Sequence, residues 1–169
     1  MDAAKTLAPT RYPAGPILIA CEIRSGVAPT AAAKPASTTA LGIDQKQIEQ
    51  ILGRSGKANA GVLSFSVPRG ETIKDSGMEV PPSMGVATGI NFQPVAKGRA
   101  AITGDFVMIA SEVNPVIKAL RENGISITAL HSHMLTEEPR LFFMHFWAVD
   151  DAGTLARGLR TGLDRMNTK

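Results

Sequence analysis

The 169-residue chain carries a single cysteine, which excludes an internal disulfide framework. It has one Trp, one Tyr and no run of Lys or Arg, so a formal charge of +3 is spread thinly and bases would find little to stack on. That balance argues against nucleic acid as a partner. No apolar run approaches the ~20 residues that span a bilayer. A hydrophobic fraction of 44% and a charged fraction of 20% describe an ordinary globular domain, long enough to bury a real core.

Residues 1–40 lack any periodic apolar face and are rich in Ala, Pro, Thr and Ser. They are expected to form a disordered leader or tether, with one domain over 41–169. Within the leader, Leu18-Ile19-Ala20-Cys21 resembles a bacterial lipobox, in which Cys21 would carry a lipid and 26–40 would serve as a flexible tether. Against this, the apolar stretch is shorter than the ~7–15 residues of a secretory h-region, and Asp2 interrupts a basic n-region. A plain disordered leader, or a start that truncates a signal, is the competing reading.

From Leu41 onward the pattern becomes regular. Asp44 is placed to cap a helix carrying Ile48, Ile51 and Leu52 and ending at Gly53, with Ile43 and Ile48 as a hydrophobic staple. Gly56-Lys57 lacks the spacing of a phosphate loop and follows a helix instead of opening one. Alternation predicts strands over 61–68 and 86–95, with Pro81-Pro82 between them, and a further strand over 100–110. A helix is expected over 112–123, capped by Ser111 or Asn114, with Val113, Val116, Ile117 and Leu120 buried. Two strands, 125–133 and 141–149, follow around a polar turn. A last helix, capped by Asp150 or Asp151, presents Ala152, Leu155, Ala156, Leu159, Leu163 and Met166; Gly158 and Gly162 weaken it, so docking must hold it. The element order implies an α+β two-layer sandwich, a mixed or antiparallel sheet with helices mainly on one face.

The chemistry is concentrated in one place. All three histidines, His131, His133 and His145, fall within fifteen positions, with Glu137 and Glu138 between them. Imidazole is the commonest transition-metal ligand. His131 and His133 share a strand face by the period of two, and a hairpin turning near Glu138 would set His131 opposite His145. Three imidazoles would then converge as in a three-histidine site with an open position, with Glu137 as fourth ligand or general base. A slip of one residue would remove His145 from that face. The spacing His131-x-His133-x-x-x-Glu137 also resembles the first metal motif of cupins, but Gly124 lies one position too early, and helices flank the cluster. The plainer alternative is that these histidines only pack and hydrogen-bond beside the aromatic residues Phe142, Phe143, Phe146 and Trp147. Lone carboxylates such as Asp105 and Glu79 are read as solvated, and Cys21 as a poor nucleophile.

Ile51-Leu52-Gly53-Arg54-Ser55-Gly56-Lys57, Val113-Asn114-Pro115-Val116 and the run from Ala129 to Leu135 carry a resemblance to a known family, as does Glu137-Glu138-Pro139-Arg140-Leu141-Phe142-Phe143-Met144-His145-Phe146-Trp147. Together they resemble the LppY/LpqO-like family of bacterial envelope-associated domains. Ser132 stands where that family's motif has Asn. The resemblance implies a location in the cell envelope, periplasm or extracellular space, with membrane contact through a lipid anchor at Cys21; it implies no activity.

Two classes of function follow. One is a metal-binding domain or metal-dependent enzyme holding a divalent ion (Zn, Cu or Fe) on His131, His133 and His145; Met134 and Met144 would favour Cu(I) if they reach the site. The other is a non-catalytic module that takes a small molecule or envelope component on an aromatic-lined sheet face.

Overall fold

The computed structural model describes residues 42–169; the expected leader and the Cys21 lipobox lie outside the described residues. The chain runs α1 (Gln45–Leu52), β1 (Lys57–Asn59), β2 (Val62–Val67), β3 (Lys74–Asp75), β4 (Met78–Glu79), a 3-10 turn (Pro82–Met84), β5 (Thr88–Ala96), β6 (Arg99–Met108), α2 (Ala110–Glu122), β7 (Ser126–His131), β8 (Phe142–Asp151) and α3 (Ala152–Leu163). Six strands form one antiparallel sheet in the order β1-β2-β5-β6-β8-β7, while β3 and β4 make a separate small ribbon. This is the α+β sandwich that the alternation of elements implies.

The helices start and stop for local reasons. Asp44 accepts a hydrogen bond from Gln47 N at the start of α1, and Gly53, at φ 68°, closes its end in the left-handed region. Asp151 caps α3 by accepting from Thr154 N at 2.8 Å. The start of α2 differs from expectation: the cap position is Ile109, not Ser111 or Asn114. An isoleucine side chain accepts nothing, so the helix end is satisfied from the other direction. Glu112, in the first turn, reaches back to accept from Ile109 N at 3.0 Å, the glutamate half of a capping box.

Alternation along the strands divides the sheet cleanly. Leu63, Phe65 and Val67 of β2, Ile90 and Phe92 of β5, Phe106 and Met108 of β6, and Met144 and Phe146 of β8 are buried with Ile48, Leu52, Val116, Leu120, Leu155, Leu159 and Leu163 of the helices in one core. Each such side chain contributes roughly 1.5–3 kcal/mol on burial. Gly158 and Gly162 explain how α3 docks in spite of its low propensity. A Cβ on Gly162 would lie 3.0–3.1 Å from Leu120 and Phe106, so the missing side chain lets the helix approach its neighbours.

Among the described residues, no helix lies on the opposite face of the sheet. At one end a smaller cluster of Ile73, Val86, Val107, Leu141 and Phe143 is covered by the β3–β4 ribbon and the loop over 132–141. Ribbon and loop are joined by reciprocal backbone bonds, Lys74 N to Glu138 O at 2.9 Å and Glu138 N to Lys74 O at 2.7 Å. Beyond this cluster the face is polar. Ser126, Trp147, Thr103, Asn91, Ser64 and Lys57 pair in one row across all six strands. A second row runs Ala129, His145, Asp105 and Gly89.

Candidate metal centre

The three histidines converge on this face, beside the small apolar cluster, by a route that differs from the one expected. In β7 and β8 the partner of His131 is Phe143, and the partner of His145 is Ala129. The register is thus two residues away from direct opposition of His131 and His145. An even displacement keeps every side chain on its face, so the cluster survives where a shift of one would have dissolved it. A bulge between Ile127 and Ala129 sets this parity, sending Ile127 to the helix-side core and Ala129 and His131 to the open face.

His133 is not on the strand. β7 ends at His131 because Ser132 turns its hydroxyl to Leu141 O at 2.9 Å and the chain leaves the ladder. The ring of His133 instead folds back and stacks on Phe143, centroids 3.5 Å apart at 15°, and on His131, 4.9 Å at 28°. Phe143 is fully buried, so His133 rests on a fixed floor. Partial loss of hydration pulls the exposed His133 imidazole below its ordinary pKa, neighbouring His131 and His145 add to that, and Asp105 opposes it.

The ligand atoms of the three imidazoles lie within 4.8 Å of one another. Nε2 of His131 and Nε2 of His145 are 3.0 Å apart. Two nitrogens bound tetrahedrally at about 2.0–2.1 Å from one Zn²⁺ stand about 3.3 Å apart, so the pair needs only a small adjustment to share an ion. Nδ1 of His145 faces Gly104 O at 3.2 Å. Donation from Nδ1–H to that carbonyl leaves the Nε2 lone pair free, the outer hydrogen bond that fixes the tautomer of a metal-ligating histidine.

Glu137, expected as fourth ligand or base, does not join the converging group. Its carboxylate is sealed inside the loop, where it accepts from Leu141 N at 3.0 Å and from Arg140 Nη1 at 3.3 Å. It is the strut of the 132–141 loop, and Arg140 also donates to the carbonyls of Met134 and Leu135. The cupin-like spacing therefore does not translate into cupin-like convergence. Met144 is sealed in the helix-side core, and Met134 packs against the small apolar cluster. The aromatic-lined face reduces to one ring. Phe143 and Phe146 are fully buried on opposite sides of β8, while Trp147 is 48% exposed.

The residue that spacing alone missed is Asp105. It lies in β6 as the direct partner of His145, on the same open face, and is half-buried where a solvated carboxylate was expected. Burial pushes its carboxyl up, while the bond from Gly89 N and the charges of His145 and His133 act the other way. Oδ1 accepts from Gly89 N at 3.3 Å. An aspartate in mid-strand, a position that residue type avoids, was the available signal. Glu79, read in the same way, is exposed.

Comparison with curated proteins and with solved structures finds no match. Residues 46–165, which include every residue of the histidine cluster together with Asp105 and Glu137, match the family described as Domain of Unknown Function (DUF1259), and the chain belongs to that family.

Proposed function

We propose that this domain binds a divalent transition metal, Zn, Cu or Fe, through His131, His133 and His145, leaving a coordination position open to solvent. The observation that carries the reading is the convergence of three ligand nitrogens within 4.8 Å, with the His145 tautomer set by Gly104 O. His131 and His133 are exposed and His145 is half-buried, so an ion there would be reached from the open face. An open position on a three-histidine ion suits binding or activation of a small ligand. The motif resemblance to envelope-associated domains and the Leu18–Cys21 lipobox support a place in the cell envelope, anchored through Cys21.

The test is metal analysis of untagged protein purified without chelator, followed by titration with Zn²⁺ and Cu²⁺. About one ion per chain is expected, as a single three-histidine site requires. Wild-type protein that carries no metal and takes up neither ion would reject the reading. A second reading, a non-catalytic ligand-binding module, is favoured by one observation: the half-exposed Trp147 in the same cross-strand row as Thr103, Asn91 and Ser64. Ligand binding undiminished by His145→Ala would favour it.

A further inference from the structure

We propose that Asp105 is the carboxylate of this metal site, held just outside the coordination sphere, where it makes the open position favour a neutral, proton-bearing oxygen ligand (water or an alcohol hydroxyl) over an anion. The inference rests on the metal reading above and deepens it by naming the ligand class.

Position comes first. The β6–β8 register sets Asp105 directly across from His145, so both side chains rise from the same point of the open face. The next strand sets Gly89 against Asp105 on its other side. A Cβ on Gly89 would lie 3.0 Å from Asp105 Oδ1, so the glycine provides the room in which the carboxylate lies, and its N–H binds that oxygen. One oxygen is therefore fixed by backbone. Oδ2 has no hydrogen-bond partner among the described residues, and no buried polar atom there is left unsatisfied, so Oδ2 remains accessible from the open face.

Distance and charge decide the role. The carboxylate is not among the groups whose ligand atoms converge within 4.8 Å, which places it outside the ligand set. Its charge nevertheless acts on both His145 and His133. Three neutral imidazoles leave a bound divalent ion with its full charge in a half-shielded place, and a nearby carboxylate offsets part of it. The same carboxylate repels an anion that approaches the open position and accepts a hydrogen bond from a ligand that carries a proton. With Glu137 locked in the loop, Asp105 is, among the described residues, the carboxylate beside His145 that is placed to perform this.

The experiment compares wild type with Asp105→Asn, which keeps an oxygen for Gly89 N–H and removes only the charge. Copper affinity is measured by competition with a chromophoric chelator, and azide binding by the charge-transfer absorption of the Cu²⁺-loaded protein. In Asp105→Asn copper binding is expected to weaken about 10–100-fold, as for loss of an outer-sphere partner. Azide binding is expected to tighten roughly tenfold, because a repelling charge is gone. The opposite directions separate this role from a structural one, since a loosened site would weaken both. Unchanged constants, or both weakened, would overturn the proposal. A wild type that binds no copper overturns the metal reading itself, whereas wild-type binding with an indifferent Asp105→Asn overturns only the role of Asp105. Should Asp105→Asn fail to fold, the smaller neutral variant Asp105→Ser carries the same pair of expectations.

Discussion

Nε2 of His131 and Nε2 of His145 stand 3.0 Å apart although the two residues are not cross-strand partners. His145 pairs with Ala129, whose small side chain leaves room on that face, and the two imidazoles meet along the diagonal. Diagonal neighbours in an antiparallel pair lie at ~7–8 Å between Cα atoms, within reach of side chains of this length. The cluster is thus built on side chains that lie above the sheet, outside both apolar clusters.

His145→Ala should therefore separate metal binding from folding. It removes one of three ligands and no member of either core cluster. Metal uptake should be lost, while stability in urea should shift by less than about 1 kcal/mol, as for a substitution away from the core. Calorimetric titration with Zn²⁺ beside an unfolding curve reads both; a variant that binds metal like wild type would contradict the ligand assignment.

Metal affinity should also fall as pH drops through about 6.5, since protons compete for imidazole lone pairs. Partial loss of hydration and the neighbouring His131 hold His133 below its ordinary pKa, so this ligand stays neutral, and available, at lower pH than an unperturbed histidine. Titration of bound Zn²⁺ between pH 5 and 8 checks the direction; an affinity that does not change over that window would count against imidazole ligation.

The strands, the helices and the face of the histidines were legible because period-two alternation is a local property. The partner of each residue was not. The displacement of β7 against β8 comes from the bulge at Ile127 and Ala129, and nothing in those side chains announces it. Strand alternation puts His133 on the same face, but its ring is positioned by stacking on Phe143 and not by the strand. Glu137 illustrates the limit of ligand spacing: its position between the histidines suggests a ligand, but an arginine and an amide of its own loop hold it. Asp105 lies forty residues from His145 in sequence, and only the β6–β8 pairing brings them together.

A buried ion pair ties the chain's C-terminal end to the sheet. Arg69, 2% exposed, donates to Val107 O and to Glu112 Oε2, each at 2.7 Å, and Glu112 also accepts from Asn167 N. Removing Glu112 leaves the guanidinium with Glu71 and the Val107 carbonyl, takes away its other carboxylate, and uncaps α2. Glu112→Ala should cost about 1–3 kcal/mol, from the lost charged hydrogen bonds and the lost cap, read as a lowered urea midpoint, and a loss under about 0.5 kcal/mol would show that the pair contributes little.

Acid should weaken the same corner. Burial pushes the Glu71 carboxyl up, but the bonds from Arg69 and Asn167 outweigh it and hold the group below its ordinary value. A depressed carboxylate lends stability above its unfolded pKa, about 4.3, and loses it as pH falls toward the lower folded value. The Glu71→Gln variant should accordingly lose less stability than wild type between pH 5 and pH 3. Parallel acid-unfolding curves would contradict this.

Gly104 connects the strand geometry to the site most directly. A Cβ there would collide with the carbonyl oxygen of Gly89 on the adjacent strand and press on Phe146 at 3.1 Å. The backbone neighbour cannot rotate aside, so β5 and β6 would have to part at the point where Gly89 N–H holds Asp105 and where Gly104 O faces His145 Nδ1. Gly104→Ala should cost about 1–3 kcal/mol of stability, as overpacking does. It should also weaken metal binding without touching a ligand, because the carbonyl that sets the His145 tautomer moves. Measured together, a stability loss with wild-type metal affinity would mean that the Gly104 carbonyl does not orient His145. Wild-type stability would mean that the two strands yield there more easily than their close approach implies.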